Sequence, residues 1–262
     1  MIISGPTEIT PEISRVEIRL PMLLGNFLSL RVNVYVLETP DGLCLVDCGP
    51  ADLYANLRAL IAKSFPGKRI QRIYLTHGHA DHAGAGGRCA NDGIEIWAAE
   101  GDRQMLRDGG PDGVPKKFRY PGFEATRSLV QGDRIRLING RELEVVPLPG
   151  HTDGSVGFED ADAQVLLCGD ALYGPSRGYW TTFLAEIFTS RGQPPHELRA
   201  QADSLNALKH RLAERPRTRL LPGHGPPGPF DSGATSIDRS GRILRRVLMT
   251  KRDRSVGSRT EN

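Results

Sequence analysis

One short segment restricts the fold of this chain more strongly than any other part of the sequence. Residues 76–82 read THGHADH and follow directly on an apolar, strand-like stretch. They place three imidazoles and a carboxylate within six residues, a group that would repel when protonated and has no use in an apolar core. Because the side chains of residues i and i+2 of an extended chain point the same way, His77 and His79 can bind the same metal ion. Asp81 and His82 follow where the chain turns, so they can face a second ion.

Three further loops offer single side chains of the same chemical kind, each after a predicted strand. They carry His151 in PGHT, Asp170 in CGD and His224 in PGHG. Ligands at strand ends are held by a rigid scaffold while their loops remain free to converge. Five imidazoles and two carboxylates suit zinc or iron and fit calcium or magnesium poorly. His196 and His210 fall at the start and in the body of a predicted helix and are interpreted as surface residues.

Hydrophobic periodicity predicts many short strands and few helices. Leucines at helical spacing predict helices over Ala51–Ser64 and Glu197–Glu214. Asn139-Gly140 and the acidic stretch 160–162 each join two strand-like runs and predict hairpins. Residues 109–122 have no core pattern and predict a surface loop. The predicted strands are Ile13–Leu20, Leu28–Leu37, Leu43–Asp47, Ile70–Leu75, Glu95–Ala98, Arg134–Ile138, Arg141–Leu148, Ser155–Glu159, Gln164–Cys168 and Thr218–Leu221.

The grouping of strands suggests two sheets that face each other, with helices outside. No linker is visible, so the sequence predicts one catalytic domain over residues 1–238. Residues 239–262 contain eight Lys or Arg and two Asp or Glu, which predicts a basic C-terminal helix that frays into a tail. This tail alone is a weak nucleic-acid binding element, and we do not expect a nucleic-acid partner.

Composition and cysteine usage bear on the cellular setting. Apolar runs stay well short of the roughly 20 residues that span a bilayer, so no membrane partner is expected. The N-terminus lacks a basic start followed by an apolar stretch, which argues against a signal peptide. The four cysteines form no CxxC pair. We therefore expect a reducing, cytoplasmic location.

The strings THGHADHAG, PGHTDGS, CGDALY and PGHG, together with LVDCG at residues 45–49, resemble the five signature loops of the metallo-β-lactamase superfamily. They occur in the family's order and span residues about 30 to 225. The resemblance implies an α+β fold, a four-layer αββα sandwich with metals in a cleft along one sheet edge. It also implies that Asp47 supports a ligand from behind. The implied ligands are His77, His79 and His151 for the first ion, Asp81, His82 and His224 for the second, and Asp170 bridging both.

The expected activity is that of a metal-dependent hydrolase acting on a small-molecule acyl substrate. Two divalent ions, zinc first, with iron or manganese as alternatives, would share a water whose pKa falls to about 7. The resulting hydroxide would attack an acyl carbon while the metal stabilises the oxyanion. Asp81 could orient this hydroxide and later carry a proton toward the leaving group.

Three substrate classes stay open. The strand ending VNVY at residues 32–35 and the compact length resemble the thioester-cleaving (thioesterase) branch, although only 38 residues follow His224, too few for the glutathione-binding domain of glyoxalase II. Asp170 with Tyr173 is similar to the N-acyl-homoserine lactonases, in which such a tyrosine donates to the substrate carbonyl. A mononuclear-iron persulfide dioxygenase shares several strings but would leave His224 unused.

Two apolar stretches could form the walls of the cleft. One is Met22-Leu23-Leu24 with Phe27, and the other is the aromatic-rich run from Gly174 to Pro195. Aromatics at this spacing can line an acyl pocket, or they can pack in a lid or in a dimer contact. A homodimer therefore stays open.

Overall fold

The computed structural model describes residues 2–23, 28–111, 119–172 and 195–229. Within these ranges thirteen strands form a seven-stranded sheet, β1 to β7, and a six-stranded sheet, β8 to β13. The strands are β1 Ile2–Thr10, β2 Ile13–Leu23, β3 Leu28–Thr39, β4 Gly42–Val46, β5 Ile70–Tyr74, β6 Glu95–Ala99, β7 Arg127–Leu129, β8 Arg134–Arg136, β9 Glu142–Pro147, β10 Val156–Asp160, β11 Val165–Gly169, β12 Arg219–Pro222 and β13 Gly228–Pro229.

Both sheets combine antiparallel hairpins with parallel strands. In the first sheet β1 to β4 pair antiparallel, and β4 to β7 pair parallel. In the second sheet β8 to β11 pair antiparallel, and β12 lies parallel to β11. The carboxyl ends of β4 and β5 therefore meet at one edge of the first sheet. Those of β11 and β12 meet at one edge of the second.

The inner faces of the two sheets share one apolar core. Tyr35 and Leu37 of the first sheet pack in the same cluster as Leu143, Phe158 and Leu221 of the second. This alternation of apolar side chains facing the partner sheet is the pattern expected of a half-buried strand. Two sheets that each bury one face in this way form the centre of a sandwich.

Helices cover both outer faces and complete four layers. The helices are α1 Tyr54–Ser64, α2 Ala80–Ala83, α3 Gly86–Asn91, α4 Arg103–Asp108 and α5 Pro195–Ala213. Leu57 and Ile61 of α1 pack with Val34 on the outer face of the first sheet. Leu205 and Leu212 of α5 pack on the outer face of the second sheet. The expected αββα sandwich is confirmed.

The ten predicted strands and both predicted helices are present, with strand ends that differ from prediction by three residues at most. The first turn of the helix predicted from Ala51 is a separate 3-10 turn, Ala51–Leu53. His196 and His210 are exposed on α5, as expected. The sequence did not predict β1, β7, β13, or the short helices α2 to α4.

The predicted surface loop over residues 109–122 contains no helix or strand in its described parts, and Arg119, Pro121 and Gly122 are exposed. Tyr120 is 7% exposed there, and its ring contacts Phe123 with centroids 5.9 Å apart. Tyr120 lies in a stretch without apolar periodicity, so its burial was not visible in the sequence. Within the described residues, no helix is long and apolar enough to cross a membrane. The basic stretch 239–262 lies outside those residues and stays a prediction.

Candidate metal centre

The seven residues predicted as metal ligands come together where strands of both sheets end. His77, His79, Asp81 and His82 follow β5, and His151 lies between β9 and β10. Asp170 follows β11, and His224 follows β12. His79 caps α2, and this short helix turns Asp81 and His82 away from the direction of His77 and His79. The chain reversal expected within THGHADH is therefore present.

One group of nitrogen donors consists of His77, His79 and His151. Their ligand atoms lie within 4.8 Å of one another. Nδ1 of His79 is 2.9 Å from Nε2 of His151. Nε2 of His77 is buried and lacks a hydrogen-bond partner among the described residues. A buried nitrogen left without a partner beside two other imidazoles fits a metal ion, because a proton donor or a cation must otherwise satisfy it.

A second group consists of Asp81, His82 and His224, also within 4.8 Å. Nε2 of His224 is 3.3 Å from Oδ2 of Asp81, and Nε2 of His82 is 3.4 Å from Nε2 of His224. Two nitrogens and one carboxylate oxygen form a donor set that suits zinc, iron or manganese.

Asp170 lies between the two groups. Its Oδ2 is 3.5 Å from Nε2 of His151 and 3.1 Å from Nε2 of His224, while its Oδ1 is 3.4 Å from Nε2 of His82. A Cβ added to Gly223 would come within 2.2 Å of Oδ1 of Asp170. Glycine is therefore required at this position, because any side chain would enter the centre.

The protonation states of His77, His151 and Asp170 agree with metal binding, whereas Asp170 and Asp81 outweigh burial and raise the pKa of His82 to about 9 and that of His224 well above its usual value. Burial and the neighbouring His79 lower the pKa of His151 to about 3, so this imidazole is neutral at pH 7. Burial and the nearby His82 likewise lower the pKa of His77 well below its usual value. Burial alone would raise the pKa of Asp170, but the adjacent His224 and His82 outweigh it and hold that pKa well below the usual range. Neutral imidazoles and an ionised carboxylate are the forms that bind metals.

Asp47 supports the centre from behind, as the resemblance implied. Its Oδ2 lies 2.8 Å from Nδ1 of His82, so the opposite nitrogen of that ring faces the other ligands. The backbone nitrogen of Thr76 donates to Oδ1 of Asp47 at 2.8 Å, and the Thr76 hydroxyl donates to both oxygens. Asp47 has a φ of 64°, a left-handed conformation that is costly outside glycine and is found where a site requires it.

Asp102 is a buried carboxylate that the sequence analysis missed. It accepts hydrogen bonds from the backbone nitrogen of Gly78 at 2.7 Å, the hydroxyl of Thr152 at 2.8 Å and the backbone nitrogen of Gly154 at 2.9 Å. On the other side of Gly78, the hydroxyl of Tyr120 donates to the carbonyl oxygen at 2.6 Å. Asp102 thus joins the loop of His77 and His79 to the loop of His151.

The loop that carries His224 is fixed by β3. The side-chain amide of Asn33 donates to the carbonyl oxygens of Pro222 and Gly225 at 2.8 and 2.7 Å. The ring nitrogen Nδ1 of His224 is 2.7 Å from the carbonyl oxygen of Arg31. This contact directs the opposite nitrogen, Nε2, toward the ligand group, as second partners of metal-binding histidines do.

Tyr173, the other residue to which the sequence analysis gave a catalytic role, lies outside the described residues. The same holds for the run 174–194, which was considered as a pocket wall or a dimer contact, and for Leu24 and Phe27 of the other apolar stretch. Within the part of the chain that the structure describes, six of the seven expected ligands form two groups, and the seventh, Asp170, lies together with His77 and His82 between them. That these groups bind metal ions remains a prediction.

An αββα sandwich with imidazoles and carboxylates at its sheet edge defines a class of metalloproteins, and comparison with known proteins agrees. The family described as "Metallo-beta-lactamase superfamily" matches residues 29–224. The chain belongs to this superfamily. It is similar to a hydroxyacylglutathione hydrolase, GloC of Haemophilus influenzae, with 31% identity over 131 residues, 46% of this chain and 61% of that protein.

The chain is also similar to the human acyl-coenzyme A thioesterase MBLAC2, with 27% identity over 175 residues, 58% of this chain and 62% of that protein. The match thus spans about three fifths of the length of these two relatives. Among solved structures, a metallo-beta-lactamase from Pontibacter korlensis superposes with a TM-score of 0.68, covering 91% of this chain and 97% of that one. The two sequences are 16% identical, so this likeness shows the fold alone.

Proposed function

We propose that this protein is a metal-dependent hydrolase that cleaves the acyl bond of a thioester. One observation carries the proposal: Asp170 lies between two groups of ligand atoms, and its two oxygens are 3.1 to 3.5 Å from nitrogens of both groups. We assign His77, His79 and His151 to one divalent ion and Asp81, His82 and His224 to the other, with Asp170 between them. Zinc is the first expectation, and the same donors accept iron or manganese.

Bound divalent ions would lower the pKa of a water molecule and polarise the acyl carbonyl. The protein's own contribution is to hold the ligands in their binding forms and to manage the protons. Asp81 is 25% exposed, compared with 4% for Asp170, so it is the carboxylate of the cluster that faces the open side. We assign to Asp81 the acceptance of a proton from the attacking water and its delivery to the sulfur of the leaving thiol.

The preference for thioesters over other acyl bonds rests on the relatives. One relative is named a hydroxyacylglutathione hydrolase and another an acyl-coenzyme A thioesterase. Both names refer to substrates in which the acyl group is attached to the sulfur of a thiol, glutathione or coenzyme A. The superposed lactamase supports only the fold.

A substrate panel tests the proposal. Protein purified without added metal is analysed for bound ions and then assayed against thioesters, N-acyl-homoserine lactones and a β-lactam. We expect close to two ions per chain and turnover of thioesters. A variant in which the exposed Asp162 is changed to Asn serves as a matched control for the ligand variants. Absence of thioester turnover in fully loaded protein would contradict the proposal.

The lactonase and dioxygenase alternatives predict different results in this panel. The lactonase alternative depends on Tyr173, and Tyr173→Phe should then slow lactone opening much more than thioester cleavage. Equal small effects on both would remove a catalytic role for this tyrosine. The dioxygenase alternative leaves His224 unused, but the structure groups His224 with Asp81 and His82. One iron per chain together with oxygen consumption would favour the dioxygenase.

A further inference from the structure

Four charged side chains lie on one face of the hairpin formed by β2 and β3. Successive residues of a strand point to opposite faces, so Arg15, Glu17 and Arg19 share a face of β2. In the register of the hairpin, Arg19 pairs with Arg31, Glu17 with Asn33 and Arg15 with Tyr35. Of these residues, Tyr35 belongs to the core between the sheets. The charged face is therefore the inner face of the first sheet.

The inner face of this hairpin contacts the loop that carries His224, one of the candidate metal ligands. Asn33 and Tyr35 lie on this face, and both donate to the carbonyl oxygen of Pro222 at 2.8 Å. These hydrogen bonds fix the loop of His224. Arg31 is two residues before Asn33, about 7 Å further along the strand. Its own carbonyl oxygen is 2.7 Å from the His224 ring. Arg31 is therefore adjacent to the loop that carries His224.

The cluster has more positive charge than its acidic partner neutralises. Nε of Arg19 donates to Oε1 of Glu17 at 2.8 Å, and Nη1 of Arg31 lies 3.2 Å from Oε2 of the same carboxylate. Nη1 of Arg15 is 3.9 Å from this carboxylate. One carboxylate is thus shared by three guanidinium groups. Like charges directly opposite in a hairpin, as Arg19 and Arg31 are, are destabilising, and Glu17 offsets this because it accepts hydrogen bonds from both.

The arginines also differ in how far they reach solvent. The side chain of Arg19 is 41% exposed and that of Arg31 is 26% exposed, whereas Glu17 is 8% exposed. Among the described residues, the two terminal nitrogens of Arg19 have no acidic partner within bonding distance. Glu17 is therefore a buried carboxylate that orients the guanidinium groups of Arg19 and Arg31. Of these two, Arg19 is the more exposed to solvent. Planar guanidinium edges bind carboxylates and phosphates in pairs of hydrogen bonds.

We propose that Arg19 and Arg31, held in place by Glu17 and Arg15, form a subsite for the anionic group of the thiol that leaves during hydrolysis. This inference rests on the function proposed above. The anionic group is a carboxylate or a phosphate of the thiol carrier. Its binding beside His224 places the sulfur end of the substrate toward the metal centre. The acyl part then extends to the other side.

Three acetyl thioesters that differ only in the carrier test the subsite. Acetyl-coenzyme A carries phosphates, S-acetylglutathione carries carboxylates, and N,S-diacetylcysteamine is neutral. We expect the KM of at least one charged thioester to be about tenfold below that of the neutral one, the effect of one charge-assisted hydrogen bond. Added salt should reduce this advantage. A preference for coenzyme A identifies phosphate, and a preference for glutathione identifies carboxylate.

Arg19→Gln should raise KM for the preferred charged thioester about tenfold and leave the neutral thioester unchanged. Arg19→Lys should restore part of the loss. Arg58→Gln, on α1 and paired with Asp92, is the matched control and should change neither substrate. If Arg19→Gln affects charged and neutral thioesters alike, its role is structural and the subsite is refuted. Equal KM values for all three carriers in the unaltered protein would refute it as well.

A binding measurement separates this inference from the proposed function. S-methylglutathione contains the carrier but no thioester, so calorimetry can follow its binding without hydrolysis. We expect weaker binding to Arg19→Gln than to the unaltered protein, and no such loss with Arg58→Gln. If none of the three thioesters is cleaved, the thioesterase proposal fails, and loss of this binding in Arg19→Gln still supports an anion subsite. Identical binding to all three proteins, both of S-methylglutathione and of S-methyl-coenzyme A, which carries phosphates, refutes the subsite.

Discussion

Oδ2 of Asp102 accepts a hydrogen bond of 2.7 Å from the backbone nitrogen of Gly78, the residue between His77 and His79. The same carboxylate accepts hydrogen bonds from Thr152 and Gly154, which follow His151 in its loop. The three histidines of one ligand group therefore owe their relative positions to a residue that contacts none of the ions they would bind. Partners of this kind contribute to metal affinity because they fix the orientation of the ligands.

Asp102→Ala should lower zinc affinity about 10- to 100-fold, since it releases both loops that carry this group. Competition with a chelator of known affinity measures the change, and Asp102→Asn, which keeps one acceptor oxygen, should fall between. Asp153→Ala is the matched control, because Asp153 lies in the loop of His151, between Thr152 and Gly154, but its side chain is exposed. A lower melting temperature with unchanged zinc affinity would show that Asp102 stabilises the fold only.

Asp170→Ala should abolish hydrolysis and reduce bound metal from about two ions to one or fewer. The reason is that Asp170 is the group shared by both ligand sets. Elemental analysis of the purified variant measures this directly. Full metal content in Asp170→Ala would contradict the shared position, whatever the activity.

Removal of metal should destabilise the protein as well as inactivate it. A ligand that binds only the folded state at a free concentration about 1,000 times its Kd adds about 4 kcal/mol to the free energy of unfolding. Thermal denaturation with and without chelator should show a lower Tm in the chelated sample. Zinc should restore both the Tm and the hydrolysis of thioesters. A Tm that does not respond to chelator would mean that no ion binds this cluster.

The ligands were predictable because their signal is local. THGHADH places four of them within six residues, and His151, Asp170 and His224 each follow a strand with a clear apolar pattern. The structure shows why these strand ends meet: β4 and β5, and likewise β11 and β12, are parallel neighbours. Apolar alternation sufficed for the predicted strands, and leucines at helical spacing sufficed for α1 and α5.

Asp47 was predicted through the resemblance, but the supporting residues Asp102 and Tyr120 were not predictable, because their contacts join distant parts of the chain. Asp102 is 24 residues from Gly78 and 50 from Thr152, and Tyr120 is 42 residues from Gly78. No motif marks either residue. β1 was missed for another reason: it packs only against one neighbour in its sheet, and most of its side chains are not buried, so it shows little apolar alternation. β7 and β13 are too short to show a period.

The Glu17 cluster predicts a dependence of stability on pH. Burial alone would raise the pKa of Glu17, but the hydrogen bond from Arg19 and the charges of Arg31 and Arg15 outweigh it and hold the pKa below the usual 4.5. A carboxylate with a depressed pKa in the folded state stabilises the protein above its unfolded pKa. That contribution is lost as the pH falls through the lower, folded value.

Urea unfolding of the unaltered protein and of Glu17→Gln between pH 3 and 7 tests this sign. The unaltered protein should be more stable than the variant at neutral pH, and the difference should shrink below about pH 4.5. Glu214→Gln, at an exposed position just after α5, accounts for the general effect of removing one carboxylate. A difference that grows as the pH falls would contradict the assigned direction.

Asn33→Ala tests whether the two ligand groups can be separated. Asn33 is fully buried, and its amide holds the carbonyl oxygens of Pro222 and Gly225 on either side of His224. Without it, two buried carbonyls lose their donor, at a cost of about 1 to 3 kcal/mol each in the free energy of unfolding. The loop of His224 should loosen, while the loops of His77, His79 and His151 keep their partners.

The expected result for Asn33→Ala is therefore selective. Titration should show one ion bound with nearly unchanged affinity and the second bound more weakly, together with a strong loss of hydrolysis. Asn206→Ala, at an exposed position on α5, should change neither affinity. If both ions were weakened equally, the two groups would act as one cooperative unit, and the assignment of His224 to a separate ion would have to be abandoned.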